Sequence, residues 1–246
     1  MSVSFDPKSF QELVDNHGYV IYWEQAIFCQ CYEKDQPKMN CPLCQGSGYR
    51  YLPPVKTKAV TTSLSGKYEL NLQGLREPGT AYLTPQLGIV MGYRDRIEFP
   101  EVTCKYSQNI TVRNGKTDST YRPILSCNFV IHGDDIYEEH KDFEISEDKH
   151  HLVFKNHVPE DGTKLSLLYM TTPRYLVSDL LHELRSVRVN KDSKVSQNVE
   201  MPKQYLIKRE EFVYGQTVNK KSEEYSYEWC FWRWIKRPIS PSHKHR

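Results

Sequence analysis

The feature that most restricts this chain is a run of four cysteines in the segment FCQCYEKDQPKMNCPLCQGSGY, positions 28–49. Cys29 and Cys31 form a C-x-C pair, and Cys41 and Cys44 form a C-x-x-C pair followed by Gly46 and Gly48. The second half reads as a zinc knuckle. A knuckle needs a tight turn whose amide N–H groups point at thiolate sulfurs, and glycines permit that backbone path. Four thiolates satisfy tetrahedral Zn2+ and leave no open position. The spacing therefore predicts a structural zinc site with Cys29, Cys31, Cys41 and Cys44 as ligands. Metal-linked folding free energy on the order of 10 kcal/mol can order a segment with little core of its own. A disulfide, a redox C-x-x-C and plain buried thiols are the competing readings. An unsecreted chain weighs against the first. The unexplained C-x-C pair weighs against the second, and the polarity of the segment against the third. Cys104, Cys127 and Cys230 are expected to be reduced core thiols.

Around this segment the texture is that of short strands. Asp6, Pro7 and Gly18 bracket a predicted helix over 6–17, with Phe10, Leu13 and Val14 on one face. Residues 19–28 are β-branched and aromatic and read as a strand. Pro53 and Pro54 mark a boundary. Ser65-Gly66, Glu77-Pro78-Gly79, Asn114-Gly115, Gly133-Asp134-Asp135 and Glu160-Asp161-Gly162 are turn signals. Residues 102–112 and 121–131 are expected to pair as a hairpin. Further strands are expected at 164–170 and 204–213. Residues 173–189 read as a strand passing into a short helix, and 190–200 and 216–224 as polar loops. The fold class that follows is mainly β (α+β): a barrel or sandwich body with a small N-terminal zinc-binding module and few short helices. The expected divisions are 1–54 for the helix, strand and zinc module, 55–215 for the body, and 216–246 for an aromatic segment and basic tail.

Several function classes are disfavoured. No apolar run is long enough to span a bilayer as a helix, and the N-terminus lacks the look of a signal peptide, so an unsecreted, non-membrane protein is expected. The 33 basic and 31 acidic side chains leave a net charge of +2 with the signs interspersed. That balance does not argue for a phosphate-neutralising surface. His182-Glu183 lacks the second histidine of a zinc-protease helix, because position 186 is Ser. There is no phosphate-binding glycine loop and no nucleophile elbow. No catalytic residues are assigned.

Tyrosine occurs 17 times, beside four Trp and nine Phe. These rings suit strands and also suit interfaces. In YSYEWCFWRW (225–234), Trp229 and Phe231 fall on one face of an extended segment and Trp232 and Trp234 on the other. The segment is either a strand buried on both sides or an element that docks into a neighbouring subunit. Lys236, Arg237, Lys244 and Arg246 are candidates for contact with DNA or an acidic partner, or belong to a solvated tail.

YLVSDLLHELRSVRV (175–189), MPKQYLIKREEFVYG (201–215), the knuckle CPLCQGSGY and GYRDRIEF (92–99) resemble segments of neck and head-tail connector proteins of tailed bacteriophages, the stopper-like head-closure group. The resemblance implies a structural virion protein assembled in the host cytoplasm. It would form a homo-oligomeric ring between portal or adaptor and tail, close the DNA channel, and lie near the packaged DNA. The zinc module is not a general feature of that group, so an adaptor, tail-terminator or baseplate role stays open. The alternative is a zinc-ribbon accessory protein that binds nucleic acid, supported by the knuckle and the basic tail.

Overall fold

A computed structural model describes residues 7–33, 36–63, 79–181, 186–192 and 195–214. In chain order, the N-terminal part holds α1 (Pro7–His17), β1 (Tyr19–Glu24), β2 (Ala26–Phe28), β3 (Tyr32–Glu33), β4 (Gln36–Pro37) and β5 (Tyr49–Tyr51). Then come β6 (Val55–Ser63), β7 (Thr80–Pro85) and β8 (Arg96–Glu98). The middle holds β9 (Cys104–Arg113), β10 (Lys116–Thr117), β11 (Ser126–His132), β12 (Asp135–Tyr137), β13 (Phe143–Ile145), β14 (Leu152–Phe154) and β15 (Lys164–Thr171). The chain continues through β16 (Arg174–Asp179), β17 (Ser186–Asp192), β18 (Val195–Glu200), β19 (Tyr205–Arg209) and α2 (Glu210–Tyr214). The protein is mainly β, as its texture predicts.

Six strands close a barrel in the order β1-β6-β7-β19-β16-β8, with β8 pairing back onto β1. Closure leaves no unpaired edge. Strand alternation points Ile21, Trp23, Ala59, Leu83, Ile97, Val177, Tyr205 and Ile207 inward, where they are buried together. Residues between β8 and β16 form a separate seven-stranded sheet of order β12-β11-β15-β9-β10-β14-β13. Its own core contains Ile110, Val112, Val130, Phe143, Leu152, Leu165, Leu167 and Tyr169. The edges of this sheet curl toward each other through a bridge between Glu139 and Phe143 and an edge-on contact of Tyr137 with Phe154 at 5.4 Å. It is an insertion between two staves of the barrel.

Several expectations change with the topology. The strand expected over 19–28 breaks at Gln25, leaving a barrel stave and the first strand of the cysteine module. Because β1 and β6 pair, residues on both sides of the expected boundary at 54 share one barrel. The hairpin expected between 102–112 and 121–131 does not form: β15 lies between β9 and β11 and pairs with both. The tight hairpin at Asn114-Gly115 joins β9 to β10 instead, with both turn residues at positive φ. The loop expected over 190–200 contains most of the β17–β18 hairpin, and Val187, expected on a helix, lies in β17. The strand expected over 204–213 ends at Arg209 and turns into α2. On α1, Val14 is buried, but Leu13 is exposed. Trp229, Phe231, Trp232, Trp234, Lys236, Arg237, Lys244, Arg246 and Cys230, with His182-Glu183 and the turn signals at Ser65-Gly66 and Glu77-Pro78, lie outside the described residues.

Candidate metal centre

The cysteine module is built from two short ladders. β2 pairs with β5, placing Phe28 opposite Tyr49, and β3 pairs with β4. Cys29 follows β2 and is tied to the far side of the module by its N–H donating to the Gly48 carbonyl at 2.8 Å. Cys41 opens the knuckle. Its carbonyl accepts from Gln45 N–H at 2.7 Å, and the Cys44 carbonyl accepts from Ser47 N–H at 3.0 Å and from Ser47 Oγ at 2.6 Å. Gln45, Gly46 and Gly48 all adopt positive φ. At Gly46 a Cβ would sit 2.9 Å from the Met39 carbonyl oxygen, and at Gly48 it would sit 2.7 Å from the Tyr32 hydroxyl. Both positions therefore require glycine for conformation and for space.

These turns bring the four predicted ligands together. Every pair of sulfurs among Cys29, Cys31, Cys41 and Cys44 lies within 4.8 Å, with Cys29 to Cys41 at 3.8 Å and Cys31 to Cys44 at 3.4 Å. A tetrahedral ion with bonds of about 2.3 Å to sulfur needs sulfurs roughly 3.8 Å apart, so the cluster has the right size. The thiols are free. Cys29, Cys41 and Cys44 are buried, and Cys31 packs against them as a half-buried fourth. Among the described residues, no aliphatic side chain joins this cluster. The sulfurs are themselves the core of the module.

The electrostatics are those of an unequal thiol set. Backbone N–H groups of Cys44 and Leu43 outweigh burial and draw the Cys41 thiol down to about 6. Burial, followed by the Cys44 thiol, pushes Cys31 up to about 12. One sulfur is thus a ready thiolate, while a neighbour resists losing its proton. A divalent cation removes the conflict by holding all four as thiolates, with release of protons. The four residues can hold a metal ion.

Away from this centre, Cys104 and Cys127 are half-buried free thiols. Burial pushes both upward, Cys127 to about 12. One end of the barrel opens into an apolar cavity of about 150 Å3, lined by Tyr19, Ala81, Phe99, Tyr175 and Ile207 among others. Among the described residues, no helix is long and apolar enough to cross a membrane.

Sequence reasoning missed the joint between module and barrel. Asp95, 3% exposed, accepts three hydrogen bonds: from Ala26 N–H at 2.8 Å, Trp23 Nε1 at 2.7 Å and Gly92 N–H at 2.7 Å. Arg96 stacks over the Tyr51 ring with its guanidinium carbon 3.6 Å from the centroid. Its Nη1 reaches Glu24 Oε2 at 2.9 Å, and its Nε lies 3.3 Å from Glu210 Oε1. Both residues belong to GYRDRIEF. The available signal was a charged pair directly ahead of the apolar Ile97. Comparison with protein-family models and with curated proteins found no match to this chain.

Proposed function

We propose that the four cysteines hold a structural Zn2+ ion. We further propose that the chain is a non-enzymatic subunit of a tailed-phage neck, a ring-forming virion component that links portal to tail and closes the DNA channel. The observation that carries the metal reading is that the buried interior of the module consists of cysteine sulfur. Such a segment cannot bury enough apolar surface to fold alone, and a closed set of four thiolates supplies the missing free energy. It also leaves no open coordination position at which substrate could bind. Sulfur-rich ligation favours Zn2+ among the common divalent ions.

The neck reading rests on the resemblance of residues 92–99, 175–189 and 201–215, together with the shape of the module. Phe28, Met39 and Leu43 are 69%, 78% and 49% exposed. They give the module exposed apolar side chains suited to contact with a neighbouring subunit. In that setting the metal serves as a rigid fitting, and the barrel as the body from which the ring is assembled.

The test is metal content and assembly state of the reduced, full-length protein, by elemental analysis and native mass spectrometry, alone and with portal and tail proteins. One Zn2+ per chain and a ring or a portal-bound complex are expected. A metal-free protein overturns the zinc assignment. A monomer that ignores every virion partner overturns the neck assignment. Salt-sensitive binding of DNA or RNA that is lost on removing residues 236–246 would favour the nucleic-acid accessory role instead.

A further inference from the structure

The cysteine module and the interface between barrel and insertion are joined by contacts through Asp95 and Arg96. Asp95 Oδ1 anchors Ala26, the first residue of the strand that leads into Cys29. Arg96 covers Tyr51 on the partner strand β5. On its other side Arg96 Nε meets Glu210 Oε1 in α2. Glu210 Oε2 in turn lies 3.1 Å from Nη2 of Arg122, which belongs to the insertion. Arg122 and Glu210 are each 1% exposed. That pair is therefore dry, and each of its charges depends on its neighbours for compensation. Beside it, Arg174 Nε pairs with Glu98 Oε2 at 2.7 Å, which completes the charged outer face of β8 and β16.

We infer that metal occupancy of the cysteine module and docking of α2 and Arg122 onto the barrel are thermodynamically coupled through Asp95 and Arg96. This rests on the reading of the four cysteines as a metal site. An ordered module presents Tyr51 to one side of the Arg96 guanidinium, leaving the other side aimed at Glu24 and Glu210. When the module loses its ion, β2 and β5 lose their reason to stay paired, and Tyr51 leaves Arg96. The buried carboxylate of Glu210 then faces a less constrained partner. By reciprocity, docking of the Glu210 cluster strengthens metal binding by the same factor by which the metal strengthens docking, so a change that undocks the cluster weakens metal binding by up to that factor, although none of its residues is a ligand.

The experiment uses full-length protein, loaded with Zn2+ or stripped by chelator under reducing conditions, with amide hydrogen exchange read peptide by peptide. Faster exchange on stripping is expected at residues 119–124 and 205–213 as well as at 28–51, with the barrel strands β6 and β7 unchanged. In parallel, Zn2+ affinity is measured by competition with a chromophoric chelator for the parent, Glu210→Gln and Arg122→Met. Each variant is expected to bind about five-fold or more weakly, within the usual range of site-to-site coupling. Asp148→Asn, in a remote turn of the insertion, should match the parent. Exchange at 119–124 and 205–213 that is indifferent to the metal overturns the coupling, even should the variants fail to fold. Unchanged affinity in folded variants overturns it equally. A parent that binds no Zn2+ overturns the metal reading first, a separate and distinguishable result.

Discussion

Trp23 Nε1 donates to Asp95 Oδ2 at 2.7 Å across 72 residues of chain. This bond links a barrel stave to the turn that anchors the cysteine module. Trp23 is a core residue, so its indole N–H would be unpaired inside the barrel without that carboxylate. The same oxygen also accepts from Gly92 N–H, while the second oxygen holds Ala26. Asp95 thereby joins the break at Gln25, the 92–95 turn and the barrel core at one point.

Asp95→Ala leaves three donors without their acceptor. With buried hydrogen bonds to charged groups contributing about 1.5–3 kcal/mol each, the variant should lose at least about 3 kcal/mol. Chemical denaturation followed by tryptophan fluorescence measures this. Trp23→Phe removes one donor and should cost less than half as much. Equal stability of Asp95→Ala and parent would contradict the role given to this carboxylate.

Cys41→Ser or Cys44→Ser should abolish stoichiometric Zn2+ and open residues 28–50. The barrel should survive, because its interior from Ile21 to Ile207 contains none of the four cysteines. Far-ultraviolet circular dichroism should retain most of its β signal, while limited proteolysis gains new cuts inside the module. Variants that keep their zinc and melt like the parent would show that the ligands are wrongly assigned.

Arg122→Leu should destabilise the protein by roughly 3 kcal/mol, since it strips Glu210 of the more deeply buried of its two cations. The double variant Arg122→Leu, Glu210→Leu should recover much of that loss. A double-mutant cycle checks this, and strict additivity of the two single effects would refute the pairing.

Acid should loosen the turn at 146–151 before the core of the insertion. Burial would raise the Asp148 carboxyl, yet the Ser146 hydroxyl, the His150 amide and the His151 ring outweigh it and hold it at about 2. A carboxyl depressed below its unfolded value of about 3.9 contributes stability that is fully present above pH 4. That contribution is lost as pH falls from there toward 2. Because the side chain is half-exposed, the effect is local and is weakened by salt. The protection of the His150 and His151 amides, corrected for the pH dependence of intrinsic exchange, should fall over this window in the parent and stay flat in Asp148→Asn.

The sequence by itself determined what depends on neighbours along the chain. C-x-C and C-x-x-C with two following glycines specify a knuckle, because turn conformation and ligand spacing are local properties. The mainly β class, the Asn114-Gly115 turn and the strand at Lys164–Thr171 were legible for the same reason. Tertiary structure alone decided which strands pair. β9 and β11 both read as strands, but only the assembled sheet places β15 between them. Likewise α1, β1 and the cysteine segment look like one unit, until closure of the barrel claims Tyr19–Glu24 as a stave. Asp95, Arg96, Arg122 and Glu210 look like ordinary surface charges in a chain of balanced sign. Asp95 is held by Ala26 and Trp23, 69 and 72 positions away, and Glu210 lies 114 positions from Arg96 and 88 from Arg122, and no local pattern encodes those distances.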